Sequence, residues 1–96
     1  MGRNLKTIDQ ESRQDLLLRA LASGTRRRIV RHLMQRPSTV AELCHEIPEH
    51  TKTIYFEVGV LHRAQLVRNR AKTGRHVIHE VDPDVWAEVR AIFEPG

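Results

Sequence analysis

The feature that most restricts the fold is a change in hydrophobic period near Leu66. Up to Ala64 the apolar residues recur at helical spacing in four blocks; from Leu66 to Val81 they alternate; after Asp82 the helical spacing returns. A chain with that order has to place two facing strands between its fourth and last helices. The punctuation agrees. Ser23-Gly24-Thr25 supplies a serine cap before Ile29, Val30, Leu33 and Met34, and Pro37 stops that helix. Thr39 with Glu42 forms a capping-box pattern ahead of Val40, Leu43, Cys44 and Ile47, and Pro48 ends the third block. Ile54, Val58 and Leu61 mark the inner face of a fourth helix over about 51–64. The alternating stretches over 66–70 and 76–81 are separated by Lys72-Thr73-Gly74-Arg75, which reads as a hairpin turn. Asp82-Pro83 then opens a last helix through Val85, Trp86, Val89, Ile92 and Phe93. The first helix is placed from Ser12, where Leu16, Leu17, Leu18 and Leu21 begin, and the polar residues 1–11 read as a flexible N-terminal arm or a frayed helix start.

The expected fold is therefore mainly α with a β-hairpin wing: a winged helix-turn-helix domain over 12–94. With 96 residues there is room for one modest core. That core cannot easily absorb both leucine-rich first and aromatic last helices, so Leu16, Leu17, Trp86, Val89 and Phe93 are expected to pair with a second copy as a homodimer.

Charge narrows the function. Sixteen Lys and Arg oppose twelve Asp and Glu, for a net charge of +4. Residues 1–35 hold eight basic and three acidic side chains, 65–81 hold four and one, and 82–96 hold one and four. Basic zones on both sides of a near-neutral middle suit a groove reader with phosphate-gripping edges, although a merely solvated surface gives the same counts. An α-helix fits the major groove of B-DNA, and a basic hairpin beside it reaches backbone or minor groove. On helix four, Lys52, Tyr55, Phe56, Gly59 and Arg63 share the stripe opposite the apolar one, with Thr53 near its start. The expected double-stranded DNA contacts are Lys52, Thr53, Tyr55, Phe56 and Arg63 from this helix and Arg70, Lys72 and Arg75 from the hairpin. Glu57 is placed at the edge of the inward face. Arg26 reads as structural or as a backbone contact. Two other classes stay open: an adaptor or anti-repressor using the Tyr55 and Phe56 surface for protein contact, and an RNA binder that stacks bases on them.

The single Cys44 excludes an internal disulfide framework, and no apolar run has the length of a membrane span or signal-peptide core, so a cytoplasmic, non-membrane protein is expected. No nucleophile-base pair, paired carboxylates or glycine-rich phosphate loop marks an enzyme. No cofactor and no obligatory metal are expected: Cys44 reads as a small core residue, residues 83–96 lack histidine, and His76 and His79 read as surface residues.

Ala20-Leu21-Ala22, Thr25-Arg26, Ile29, Leu33, Val40-Ala41-Glu42-Leu43, Val60-Leu61, Leu66-Val67, Gly74-Arg75 and Asp82-Pro83 fall in the order and spacing of the ArsR/SmtB repressors. Over about residues 16–91 the chain resembles that family. The resemblance implies a homodimer joined by first and last helices, a DNA-binding transcription regulator, and release from DNA by a metal or other signal. It departs from the family's pattern at the reading element. Tyr55-Phe56-Glu57 stands in place of the usual Ser-Arg-His run, Gln65 in place of a glycine, and Pro48-Glu49 in place of a Gly-Leu turn. Cys44 occupies the first thiolate position of the arsenic- and cadmium-type Cys-x-Cys cluster, but the second is Glu46.

Overall fold

The computed structural model describes residues 5–95. In chain order they form α1 (Leu5–Ala20), α2 (Gly24–Gln35), α3 (Val40–Glu46), α4 (Thr51–Arg63), β1 (Val67–Thr73), β2 (His76–Val81) and α5 (Pro83–Phe93). The caps read from the sequence are made. Ser23 accepts from the Arg26 N–H, Thr39 and Glu42 complete a reciprocal capping box, and Asp82 accepts from the N–H groups of Asp84 and Val85 ahead of Pro83. The Thr39 hydrogen bonds hold the Glu42 carboxyl below its ordinary pKa.

Helix α1 starts at Leu5, ahead of Ser12, so of the two sequence readings of this stretch a helix start describes 5–11; positions 1–4 lie outside the described residues. Asp9, Gln10, Ser12, Gln14 and Asp15 are exposed, so over 9–15 the helix buries no continuous face. Without a buried face there is no apolar period to read.

Leu17, Ile29, Leu43, Ile47, Ile54, Leu61, Leu66 and Val67 are essentially inaccessible and draw one residue or more from each of α1, α2, α3, α4 and β1. Val85 and Val89 of α5 close the same cluster. The strands pair antiparallel from Val67 opposite Val81 to Thr73 opposite His76, with a bulge at Arg70. The turn is shorter than expected. Lys72 and Thr73 are in the ladder, and only Gly74 and Arg75 connect the strands, Gly74 at φ +60, as two-residue hairpin turns favour. Ser38 and His79 exchange both backbone hydrogen bonds, at 3.0 and 2.8 Å, which stitches the α2–α3 junction to the wing.

Candidate nucleic-acid interface

Helices α3 and α4, joined through residues 47–50, are the two helices of the turn motif, and α4 is its outer member. His50 caps α4 by accepting from the Lys52 N–H at 3.2 Å, and the first turn holds no acidic side chain. The partial positive charge of that terminus is left open to an anion. Ile54, Val58 and Leu61 are buried, as the spacing requires. On the opposite face Lys52, Thr53 and Arg63 are exposed, and Tyr55 and Phe56 keep 62% and 63% of their surface. The chain has four aromatic residues of the Phe, Trp and Tyr types, and three of them, Tyr55, Phe56 and Phe93, lie outside the core. Large apolar side chains left in water at that frequency mark contact surfaces. A Cβ at Gly59 would stand 3.6 Å from Arg63 Nη1, an ordinary contact, so the protomer itself does not demand glycine there.

Glu57 is buried beside these aromatics and is held by an ion pair. Arg26 Nη1 donates to Glu57 Oε2 at 2.9 Å and the Ser23 hydroxyl donates to the same oxygen at 3.3 Å. Arg26 Nε donates to the Ala20 carbonyl at 2.6 Å and Nη2 to that of Arg19 at 3.3 Å. One guanidinium thus joins the end of α1, the start of α2 and the middle of α4. Its planar fork supplies several donors at once, which a lysine would not. Both readings made from sequence, Arg26 as structural and Glu57 as inward, agree with this geometry.

The wing divides its cations. Arg68 donates to Glu80 at 2.8 Å and stands 3.7 Å from Asp82, which raises its pKa and commits it within the protomer. Arg70, at the bulge, lies 3.9 Å from the same Glu80. Lys72 and Arg75, toward the tip, are exposed and have no carboxylate partner among the described residues. They are the wing charges most available to phosphate.

His79 is buried, which corrects its expected place on the surface; His76 is exposed. His79 shares the inward side of β2 with Val77 and Val81, a period-two signal present in the sequence. His79 Nδ1 and His62 Nε2 of α4 are 2.8 Å apart, one ring donating to the other, with the rings edge-on. Burial pushes both imidazoles below their ordinary pKa, and for His79 the proximity of His62 adds to it. Cys44 is half-buried, with Sγ 3.7 Å from the Thr51 hydroxyl oxygen. Among the described residues no three His, Cys, Asp or Glu side chains are grouped so as to hold a metal ion, and no helix is long and apolar enough to cross a membrane.

The residues expected at a dimer face separate into two sets. Leu17 and Val89 belong to the protomer's own core, a correction that follows from their inward positions on α1 and α5. Leu16 is 43% and Phe93 73% exposed, and Trp86 is half-buried against the core. Arg13 of α1 donates to both carboxylate oxygens of Glu88 of α5 at 3.2 Å, fixing the two helices side by side.

No family model matches the chain. It is 36% identical over 76 residues to the HTH-type transcriptional regulator Rv2034 of Mycobacterium tuberculosis, covering 79% of this chain and 70% of that protein. A solved structure described as a possible transcriptional regulator for arsenical resistance is 37% identical, with a TM-score of 0.72 and coverage of 79% of this chain and 78% of that one. An ArsR family transcriptional regulator, 24% identical, superposes with a TM-score of 0.74 over 83% of this chain and 87% of its own, which supports the fold.

Proposed function

Because the chain belongs to the ArsR family of helix-turn-helix transcriptional regulators, we propose that it is a homodimeric repressor that reads double-stranded DNA with α4 and grips its backbone with the wing. The observation that carries this reading is the outward face of α4. Lys52, Thr53, Tyr55, Phe56 and Arg63 lie free on it, while Glu57, the acidic residue among them, is withdrawn into an ion pair with Arg26. In that arrangement Lys52 and Thr53 reach phosphate or base edges, Tyr55 offers a hydroxyl, and Phe56 meets a thymine methyl. Lys72 and Arg75 neutralise phosphates and carry little base identity. The dimer face comprises Leu16, Trp86 and Phe93. Repression by occupancy of the operator is the mode that the resemblance implies.

Selection of bound duplexes from a random pool, followed by salt titration, tests this. Lys72→Ala with Arg75→Ala is expected to weaken selected and random duplexes equally. In a dimer that removes up to about four phosphate contacts, so the slope of log K against log salt becomes shallower by roughly three to four. Phe56→Ala and Tyr55→Ala instead change the selected sequence, since each base-edge contact carries about 1–3 kcal/mol of discrimination. The second reading, a protein-docking adaptor, draws on the exposure of the same two aromatics. A pool that yields no enriched sequence, with no salt-dependent duplex binding, would favour it.

A further inference from the structure

Between α3, α4 and the wing lies a cleft of about 700 Å³, within the range of about 300–1,000 Å³ typical of small-molecule sites. From α3 it is lined by Val40, Ala41 and Cys44, and from α4 by Tyr55, Val58, Gly59 and His62. The wing adds Asn69, Arg75, His76, Val77 and His79. The missing side chain of Gly59, which nothing in the protomer requires, keeps one wall open.

Its charge pattern is selective. No Asp or Glu is among the residues lining the cleft, and Arg75 is the one Arg or Lys there. His62 and His79, hydrogen-bonded to each other at 2.8 Å, also line it, and burial disfavours the charged form of both. A cation would find no counter-ion and a polyanion only one guanidinium. An apolar body suits Val40, Val58 and Val77, and a single carboxylate suits Arg75.

We propose that this cleft binds a small apolar monoanion, a hydrophobic carboxylate in chemical class, which an aromatic carboxylate represents in the test. The ligand bridges α4 and the wing. Where those two elements hold DNA as read above, ligand and duplex exclude each other directly. The site itself does not depend on that reading, only this consequence does.

The test uses naphthoate as probe, with naphthalene-methanol and naphthylmethylamine as neutral and cationic counterparts, titrated into the full chain by calorimetry and amide NMR. Naphthoate is expected to bind best, with shifts centred on Ala41, Gly59 and Val77. Arg75→Ala is expected to weaken it by about ten-fold or more, the factor carried by one lost charge-assisted hydrogen bond, while leaving naphthalene-methanol unchanged. Ala41→Phe, at an exposed α3 position, fills the cleft and abolishes binding of all three. Equal affinity for the three probes, shifts centred elsewhere, or no binding at millimolar concentration overturns the proposal. Duplex binding measured without naphthoate tests the DNA reading separately. If it is absent, that reading fails while the titration still decides the cleft. If duplex binds and naphthoate does not displace it, direct exclusion is overturned.

Discussion

Arg26→Met and Glu57→Leu, singly and together, probe what holds α4 in place. The two charged side chains are 17% and 11% exposed and meet at 2.9 Å. Removing one partner of a buried pair costs about 3–5 kcal/mol, because the remaining charge is stranded away from water. The residual exposure here lets some solvent in, which lowers the expected loss to about 2–4 kcal/mol for either single variant. Domains of this size are stable by only about 5–15 kcal/mol, so either change moves a denaturation midpoint far. The double variant strands no charge. Replacing both partners by apolar groups is close to neutral; the Arg19 carbonyl and Ser23 hydroxyl belong to residues that are not buried, while the carbonyl of buried Ala20 loses its Arg26 donor and accounts for the residual cost. Its loss is expected at about 0–2 kcal/mol, less than either single change, with a coupling energy of about 2 kcal/mol or more. Urea denaturation followed by far-UV circular dichroism, at one fixed protein concentration and with unchanged m-values, measures all three. Single losses within about 0.5 kcal/mol, as at an exposed pair, or a double loss equal to their sum, would refute the reasoning.

Burial depresses the pKa of both His62 and His79, so the unfolded chain binds more protons than the folded one as pH falls through the ordinary histidine value. Stability is then complete above that value and declines below it, until the depressed folded values are reached; His62→Gln with His79→Gln should flatten the decline between about pH 7.5 and pH 5.5 in urea midpoints. An unchanged slope in that double variant would remove the pair as its source. Gln65 sits at φ 65 just past α4, a conformation that favours glycine, and its side chain accepts from Arg13 at 3.0 Å. Gln65→Gly should gain about 0.5–1 kcal/mol from the relieved backbone, less a few tenths for that exposed hydrogen bond, with a loss above about 1 kcal/mol counting against it. Phe93→Asp with Leu16→Asp changes two exposed side chains, so sedimentation should show dimer turning to monomer while the circular dichroism spectrum is retained; a persistent dimer would move the interface off these helices.

Most of the architecture was legible because each element carries its own local signal. Thr39 with Glu42, Asp82 with Pro83 and the helical spacing of Ile54, Val58 and Leu61 act over a few residues, and the structure contains all of them. What escaped was either featureless or long-range. The first turns of α1 have no apolar stripe, so their helicity left no pattern. Leu17 and Leu16 are neighbours in a leucine run, and only the packing of α1 shows which one faces the core. Arg26 and Glu57 are 31 positions apart, and His62 and His79 are 17 apart. No spacing rule joins such pairs, since their meeting depends on how α2, α4 and β2 cross. The outward face of α4 was readable as a face, but its Tyr55-Phe56-Glu57 run departs from the family pattern, so no contact specificity could be carried over to it.

The same long-range contacts account for how a surface so rich in exposed apolar area keeps one geometry. α4 is tied on one side to α1 and α2 by the Arg26–Glu57 pair and on the other to β2 by the His62–His79 pair. Its C-terminal end is closed by the N–H groups of Gln65 and Leu66, which donate to the carbonyls of His62 and Leu61. That closure has the hydrogen-bond pattern of a Schellman motif and sets the angle at which β1 leaves. A helix fixed at its middle, its flank and its end loses little backbone freedom when its outer face meets a partner, so more of the contact energy of Tyr55 and Phe56 is available to discriminate between partners. The wing tip is held differently. Beyond the Ser38–His79 bridge it is supported by the two-strand ladder, with exposed Lys72 and Arg75 at its end. Phosphate contacts in general need less exact placement, because charge attraction falls off gradually with distance, whereas base-edge contacts need fixed donors and acceptors. Under the DNA reading proposed above, the element tied at three places is the one assigned to base edges, and the element supported by its own ladder is the one assigned to phosphate.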